Sequence, residues 1–204
     1  MAPIPGSIPP PDRPAFLIEA VRADPVAEAI LHRTGDLGLP DWALAAGAVY
    51  QNVWNALTGR PPGYGIKDYD LAYFDAGDLS YEAEDSVIRA CTAAFADLPK
   101  PVEVRNQARV HLWFETKFGY AKPPYRSTAD RIANYASPAH MAGLRREADG
   151  GHTLIAPRGL DALFAMEMTP TRPGAWTPDF IDKVDRLRAL WPEMTAPGRG
   201  ATDS

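Results

Sequence analysis

The sequence has little cysteine and no long apolar run. Its single thiol, Cys91, excludes an internal disulfide and a zinc site built from several thiolates, and it indicates a reducing compartment. No apolar stretch approaches the roughly 20 residues that a membrane-spanning helix needs, and the N-terminus lacks the apolar segment of a signal peptide. We therefore expect a cytoplasmic protein with no membrane partner.

Positive charge is also in short supply. Lys and Arg total 21 against 26 Asp and Glu, which gives a net charge of −5. Non-specific nucleic-acid binders carry the opposite balance, so the composition argues against a nucleic-acid partner, although it is compatible with a local basic patch. Hydrophobic residues at 46% and charged residues at 23% exclude a wholly disordered or fibrous chain.

Proline and glycine mark the two ends of the chain. Residues 1–14 hold six of the 21 prolines, and residues 195–204 are rich in glycine, proline and small residues. Such stretches favour extended, mobile chain. The sequence predicts flexible tails at 1–14 and 195–204 around a single domain at 15–194.

Hydrophobic spacing predicts both helices and strands within that domain. Helices are predicted at 15–33 (broken near Pro25), 49–57, 80–98 (with Ser80 as N-cap and Cys91 on the buried face), 127–135, 159–166 and 178–191. Strands are predicted at 66–75 and 101–105, with a hairpin of 140–146 and 152–156. Segments 42–46 and 109–118 fit either a strand or a helix. This order indicates an α/β or α+β domain.

Two aspartates form the most informative pattern. Asp68 and Asp70 are two residues apart on a predicted strand, so they share a face with Ile66, with their Cα atoms about 7 Å apart. Glu103 lies on the later strand between two valines and would complete a three-carboxylate site if the strands are neighbours. Carboxylates bind divalent metal ions, and a metal pair stabilises the attacking and leaving oxygens of a phosphoryl displacement. The alternative is a solvated sheet face.

Phosphate-binding candidates flank this pair of carboxylates. Gly47 and Ala48 precede a predicted helix, where a glycine lets backbone N–H groups approach a phosphate and the helix dipole favours negative charge. Arg105 and Arg109 follow Glu103, and the arginine fork suits phosphate. Each arginine has an alternative role as a structural partner of a nearby acid.

The combination resembles the nucleotidyltransferase fold of the polymerase-β superfamily. A closer resemblance, over roughly residues 42–191, is to a family of bacterial nucleotidyltransferase-like proteins. The segments that carry it are 46–49 with 53–55, 66–71 with 73–75, and 104–113. The resemblance implies a mixed β-sheet flanked by helices, with a helical C-terminal part.

The resemblance also implies a site and a reaction. Mg²⁺ or Mn²⁺ would be held by Asp68, Asp70 and Glu103, and a nucleoside triphosphate would place its phosphates by the Gly47 turn. An acceptor hydroxyl would attack the α-phosphorus and release pyrophosphate. The acceptor is expected to be a small molecule or a protein, and the sequence carries no signal for its identity, for the nucleobase or for the oligomeric state.

Two features depart from the superfamily pattern. Ala48 stands where Gly or Ser is usual, and the 21-residue gap from Gly47 to Asp68 includes a Pro/Gly loop at 60–65 that we expect beside the site. These features favour the alternative of a catalytically inactive relative that binds a nucleotide or a protein partner. A glycosyltransferase with a D-x-D motif is disfavoured, because only 67 residues precede Asp68 and those folds place a long nucleotide-binding half before the motif.

Overall fold

Five strands form one mixed sheet at the centre of the computed structural model, which describes residues 6–172 and 175–198 and, for Phe118, the backbone alone. The strand order is β3-β2-β1-β4-β5, with β2 and β3 parallel and the other neighbours antiparallel. The strands are β1 Ala43–Ala45, β2 Tyr69–Tyr73, β3 Val102–Asn106, β4 Gly143–Arg146 and β5 His152–Ile155. The mixed sheet predicted from the resemblance is confirmed.

Eight α-helices surround the sheet within the described residues. They are α1 Arg13–Arg22, α2 Pro25–Asp36, α3 Gly47–Thr58, α4 Tyr81–Ala94, α5 Val110–Phe118, α6 Thr128–Ile132, α7 Asp161–Phe164 and α8 Pro178–Leu190. None of these helices is long and apolar enough to cross a bilayer. Cys91 of α4 is fully buried, as its place on the apolar face predicts.

Local signals in the sequence account for most of these boundaries. The break near Pro25 is confirmed, since Asp24 caps α2 by accepting the Val26 N–H. Ser80 caps α4 by accepting the Ala83 N–H, also as predicted. The two undecided segments are resolved as β1 within 42–46 and α5 within 109–118, and the hairpin forms from β4 and β5.

The two faces of the sheet bury different sets of residues. Leu44, Leu71 and Val104 point to the main core, which includes side chains of α1, α2 and α3. Ala43 and Ala45 point to the other face, where a smaller apolar cluster contains Ile132 and Met141. Because side chains alternate along a strand, Asp70 lies on this second face, opposite Ala45 in the β1–β2 register.

Strand β2 is shorter than predicted. It begins at Tyr69, so the expectation that Ile66 shares a face with the two aspartates is wrong: Ile66 is 3% exposed and belongs to the main core. The reason lies in the preceding turn, where Gly63 and Gly65 have φ of 75° and 73°. Strand alternation therefore starts only after this irregular segment.

Several described residues inside the predicted tails make backbone contacts or belong to regular structure. Helix α1 begins at Arg13, the Gly6 N–H donates to the Phe164 carbonyl at 2.9 Å, and Thr195 forms a parallel bridge with Glu167. Residues 1–5 and 199–204 lie outside the described residues. The flexibility of 1–14 and 195–204 and the domain limits 15–194 stay predictions.

Candidate active site

Three acidic side chains meet where β2 and β3 run side by side. Asp70 lies directly opposite Glu103 in the parallel register, so the two carboxylates share a face of the sheet. Asp68 immediately precedes β2. Burial, with the neighbouring negative charges of Asp68 and Glu103, raises the pKa of Asp70 to about 6. The structure therefore brings all three predicted carboxylates within electrostatic reach of one another.

This donor set fits a divalent cation by its chemistry. Mg²⁺ and Mn²⁺ prefer oxygen ligands, and a cation would relieve the repulsion that raises the pKa of Asp70. In the side-chain positions of this structure, no three His, Cys, Asp or Glu residues of the described ranges are close enough together to hold a metal ion. Asp68 and Glu103 are exposed, so their side chains have room to turn towards Asp70.

The turn before α3 lies one residue earlier than the sequence predicts. Ala46 is the N-cap residue, with φ 51° and ψ −123°, while Gly47 is already the first helical residue. A non-glycine residue held in such a sparsely populated backbone region costs about 1–3 kcal/mol, and this strain is concentrated at functional sites. The N–H groups of Gly47 and Ala48 belong to the first turn and have no acceptor within the helix. They are placed to bind an anion at the positive end of the helix dipole.

Gln51 fills the space behind Gly47. A Cβ at Gly47 would lie 2.7 Å from Gln51 Nε2, so any larger residue would require the end of the Gln51 side chain to shift. Gln51 is 4% exposed and donates to the Tyr50 hydroxyl at 3.3 Å, while its Oε1 has no hydrogen-bond partner among the described residues. A buried polar atom without a partner is uncommon in native proteins and calls for a water, ion or ligand.

Helix α8 brings Lys183 to the carboxylates, with Arg186 close enough for its charge to act on Lys183. Lys183 and Arg186 are three residues apart and so share a helix face. Burial lowers the pKa of Lys183, and the charges of Asp70 and Asp68 oppose that shift. One guanidinium nitrogen of Arg186, Nη1, is buried and has no hydrogen-bond partner among the described residues. The site thus combines acids able to hold metal ions with bases able to hold phosphate.

His140 is a fully buried polar side chain near Lys183. Its ring lies 4.8 Å from the Tyr50 ring, and its Nε2 has no hydrogen-bond partner in the described part of the chain. Burial, and secondarily the charge of Lys183, lowers the pKa of His140 well below its usual value. His140 is therefore neutral at physiological pH, with one ring nitrogen able to pair with a ligand.

The sequence did not single out these residues of α3 and α8. The only local signal for Lys183 and Arg186 is their position beside the apolar stripe of Phe180, Val184 and Leu187, which is buried as the helical pattern predicts. Cations beside an apolar stripe are ordinary on any helix. The proximity of α8 to β2, more than 100 residues earlier in the chain, becomes visible only in the fold.

The two arginines predicted to bind phosphate have different surroundings. Arg105 is exposed and lies opposite Ala72 in register, two residues beyond Glu103 on the same face of β3. Arg109 instead forms an ion pair with Glu84 and donates from Nε to the Leu79 carbonyl at 3.0 Å. Arg109 therefore has the alternative role of a structural partner of a nearby acid, whereas Arg105 lies on the face of the sheet that carries the carboxylates.

The Pro/Gly loop packs against α3 and Trp191, and its expected position beside the carboxylates stays a prediction. Its contacts are on the C-terminal half of α3, where the Gly63 N–H donates to Asn52 Oδ1 at 2.8 Å and Asn55 Nδ2 donates to the Tyr64 carbonyl at 3.0 Å. A Cβ at Gly65 would collide with the Trp191 ring. The long gap after Gly47 is therefore a packed connection at the opposite end of the helix.

Comparisons with known proteins agree with this architecture. A family model described as nucleotidyltransferase matches residues 32–196, a range that includes every site residue named above. Among solved structures, the chain is similar to a protein whose NMR structure reveals a CCA-adding enzyme head domain. The two are 27% identical with a TM-score of 0.67, over 89% of this chain and 93% of the other. A comparison with curated proteins finds no match.

Proposed function

The chain belongs to the nucleotidyltransferase family, and on that premise we propose that it is a metal-dependent enzyme that moves a nucleoside monophosphate group from a nucleoside triphosphate to an acceptor hydroxyl. Family and fold support nucleotidyl transfer in general. The observation that carries the metal-dependent form is the pairing of Asp70 with Glu103 in register, next to Asp68.

The carboxylates and the cations have separate roles in this proposal. Asp68, Asp70 and Glu103 would hold Mg²⁺ or Mn²⁺, which when bound supplies positive charge at the reacting phosphate and its oxygens. The first-turn N–H groups of α3 bind the triphosphate, together with Lys183 and Arg186. The buried, unpartnered Nη1 of Arg186 supports a phosphate ligand, because a guanidinium forms strong charge-assisted hydrogen bonds to phosphate oxygens.

The reaction is an in-line displacement at the α-phosphorus. A bond forms from the acceptor oxygen to that phosphorus while the bond to the oxygen bridging to the β-phosphorus breaks. Pyrophosphate leaves with the bonding electron pair, and the hydroxyl proton passes to water. Lys183 and Arg186 stabilise the charge of the departing pyrophosphate, since positioning and electrostatic stabilisation account for most of the catalysis of phosphoryl transfer.

Calorimetric titration of each of the four common NTPs tests the proposal. Wild-type protein is titrated with and without Mg²⁺ or Mn²⁺ and compared with the double variant Asp68→Asn/Asp70→Asn. We expect binding heat that needs the metal and is lost in the double variant. A matched control is Asp75→Asn/Asp78→Asn, which removes two carboxylates from the loop after β2 and should leave the heat unchanged.

An inactive nucleotide-binding relative is the second candidate. One specific observation favours it: among the described residues, no three His, Cys, Asp or Glu side chains are close enough together to hold a metal ion. It predicts nucleotide binding of equal affinity with and without metal, and equal heats for wild type and for the aspartate double variant. That outcome in the same titration would reject the metal-dependent enzyme.

A further inference from the structure

A strip of cations and aromatic rings leads away from the carboxylates. We call it the basic-aromatic strip. It consists of Arg131 on α6, Lys122 and Tyr125 in the preceding loop, Phe114 and Tyr120 on and after α5, and Arg172. At its inner end, Ile132, the residue after Arg131, packs with Ala45 on the face of the sheet that carries Asp70, and the charge of Arg131 acts on Asp70. The strip therefore begins at the candidate active site.

Neighbouring members of the strip are in contact along its length. Arg131 lies 5.5 Å from the centre of the Tyr125 ring, and Lys122 lies 5.1 Å from that ring and 5.0 Å from the Phe114 ring. The Phe114 and Tyr120 rings are 5.2 Å apart and meet edge to face. Arg172 ends the strip, 5.6 Å from the centre of the Tyr120 ring.

The cations of the strip make no direct ion pair within the part of the chain that the structure describes. No ion pair to Lys122, Arg131 or Arg172 is found in residues 6–172 and 175–198. Burial, with the like charges of Arg131 and Arg172, lowers the pKa of Lys122. Residues 104–131 contain six Lys and Arg but only two Asp and Glu, in a chain of net charge −5. Two of the six cations, Arg109 and Arg126, are paired with Glu84 and Asp130, and the segment that carries most of the strip still has an excess of positive charge.

One ring of the strip, Tyr120, and the neighbouring Trp113 reach solvent, whereas Phe114 and Tyr125 are buried. Tyr120 is 46% exposed and Trp113, one turn of α5 away from Lys117, is 37% exposed with the Lys117 ammonium 5.6 Å from its ring centre. Exposed rings next to cations are the arrangement that binds unpaired bases by stacking and their phosphates by charge. An acidic peptide would satisfy the cations alone and would leave the rings without a role.

We propose that the basic-aromatic strip binds a single-stranded nucleic acid and delivers its terminal hydroxyl to the carboxylates as the acceptor. This inference rests on the proposed function and names the acceptor class. It departs from the expectation of a small-molecule or protein acceptor, which was drawn from the net charge of the whole chain. The net charge is an average over the whole surface, whereas a bound nucleic acid responds to the local electrostatic field of the surface that it contacts.

The test measures binding of a labelled single-stranded RNA of about 12 nucleotides by fluorescence anisotropy, with no NTP present. We expect Tyr120→Ala to weaken binding roughly 5-fold or more, because one stacking partner is lost. Lys122→Ala/Arg172→Ala should lower the slope of log affinity against log salt by about 1.4, since each single-strand phosphate contact contributes about 0.7.

Matched controls use residues outside the strip. Tyr64 is 37% exposed and has Arg60 5.9 Å from its ring centre, so Tyr64→Ala removes an equivalent ring–cation pair outside the strip. Arg158→Ala/Arg188→Ala removes two exposed cations and controls for net charge. Both controls should bind RNA with the wild-type affinity and salt slope.

Three results would overturn the proposal: no RNA binding, equal losses in strip and control variants, or equal affinity for a duplex, which offers no unpaired bases. Preferential binding of a polyglutamate peptide with the same sensitivity to the strip variants would assign the surface to an acidic protein instead. Failure of the proposed function is separable, because NTP binding is measured without RNA. Metal-dependent NTP binding without RNA binding refutes the acceptor class alone.

Discussion

Replacing Asp24 by alanine should destabilise the protein strongly, because this buried carboxylate joins the two elements that carry the site. Asp24 is 1% exposed. It accepts the Val26 N–H at 3.0 Å as the cap of α2, Asn52 Nδ2 of α3 at 3.0 Å, and the Tyr69 hydroxyl of β2 at 2.6 Å. Its loss removes three hydrogen bonds at once.

The expected magnitude is the sum of these losses. An N-cap is worth about 1 kcal/mol, and each of the two buried donors left without an acceptor costs about 1–3 kcal/mol. The free energy of unfolding should therefore fall by about 3–7 kcal/mol. With an m-value of about 2 kcal/mol per M, the urea midpoint falls by about 1.5–3.5 M.

The assay is urea denaturation followed by the fluorescence of the buried Trp54 and Trp191. Asp97→Ala is the control, since its ion pair with Arg33 is made by a carboxylate that is 67% exposed and should contribute no more than about 1 kcal/mol. A loss below about 1.5 kcal/mol for Asp24→Ala, or equal losses in the two variants, would refute the reasoning.

Three further predictions concern the site. Lys183→Ala should weaken NTP binding roughly 10- to 100-fold in calorimetry, because it removes a charged phosphate contact. The control Arg188→Ala, on the exposed side of α8, should bind NTP as wild type does. Equal NTP affinities of Lys183→Ala and wild type would show that Lys183 is not part of the site. Ala46→Gly should raise the free energy of unfolding by about 1 kcal/mol by relieving the positive φ, and a destabilised variant would contradict that. Because the pKa of His140 is depressed in the folded chain, the unfolded chain binds a proton below pH 6.5 that the folded chain does not. As the pH falls below that value, wild type should lose up to about 1.4 kcal/mol of unfolding free energy per pH unit relative to His140→Gln. Parallel plots of unfolding free energy against pH for the two proteins would refute this.

The sequence predicted those features that depend on neighbouring residues. The break at Pro25 and the Ser80 cap follow from local hydrogen bonds, and the alternation around Asp70 follows from the strand period. The face shared by Asp70 and Glu103 also depends on which strands are neighbours and in what register. The sequence pattern alone does not determine this strand pairing, which was expected from the resemblance to the nucleotidyltransferase family.

Other features depend on contacts that no local pattern encodes. The strand ends at Tyr69 because Gly63 and Gly65 adopt left-handed backbone conformations, which removes Ile66 from the carboxylate face. Positive φ falls on Ala46 because β1 must turn sharply into α3, although glycine stands at the next position. Lys183 reaches the aspartates through the packing of α8, which is a long-range contact.

The central claim is that Asp68, Asp70 and Glu103 act together on a divalent cation. Titration of Mn²⁺ monitored by water-proton relaxation, in the presence of a non-hydrolysable NTP analogue, tests it most directly. The account predicts a relaxation enhancement that is lost in Asp70→Asn and weakened in Glu103→Gln, with Asp75→Asn unchanged. Equal enhancement in all four proteins, or none in wild type, would contradict it.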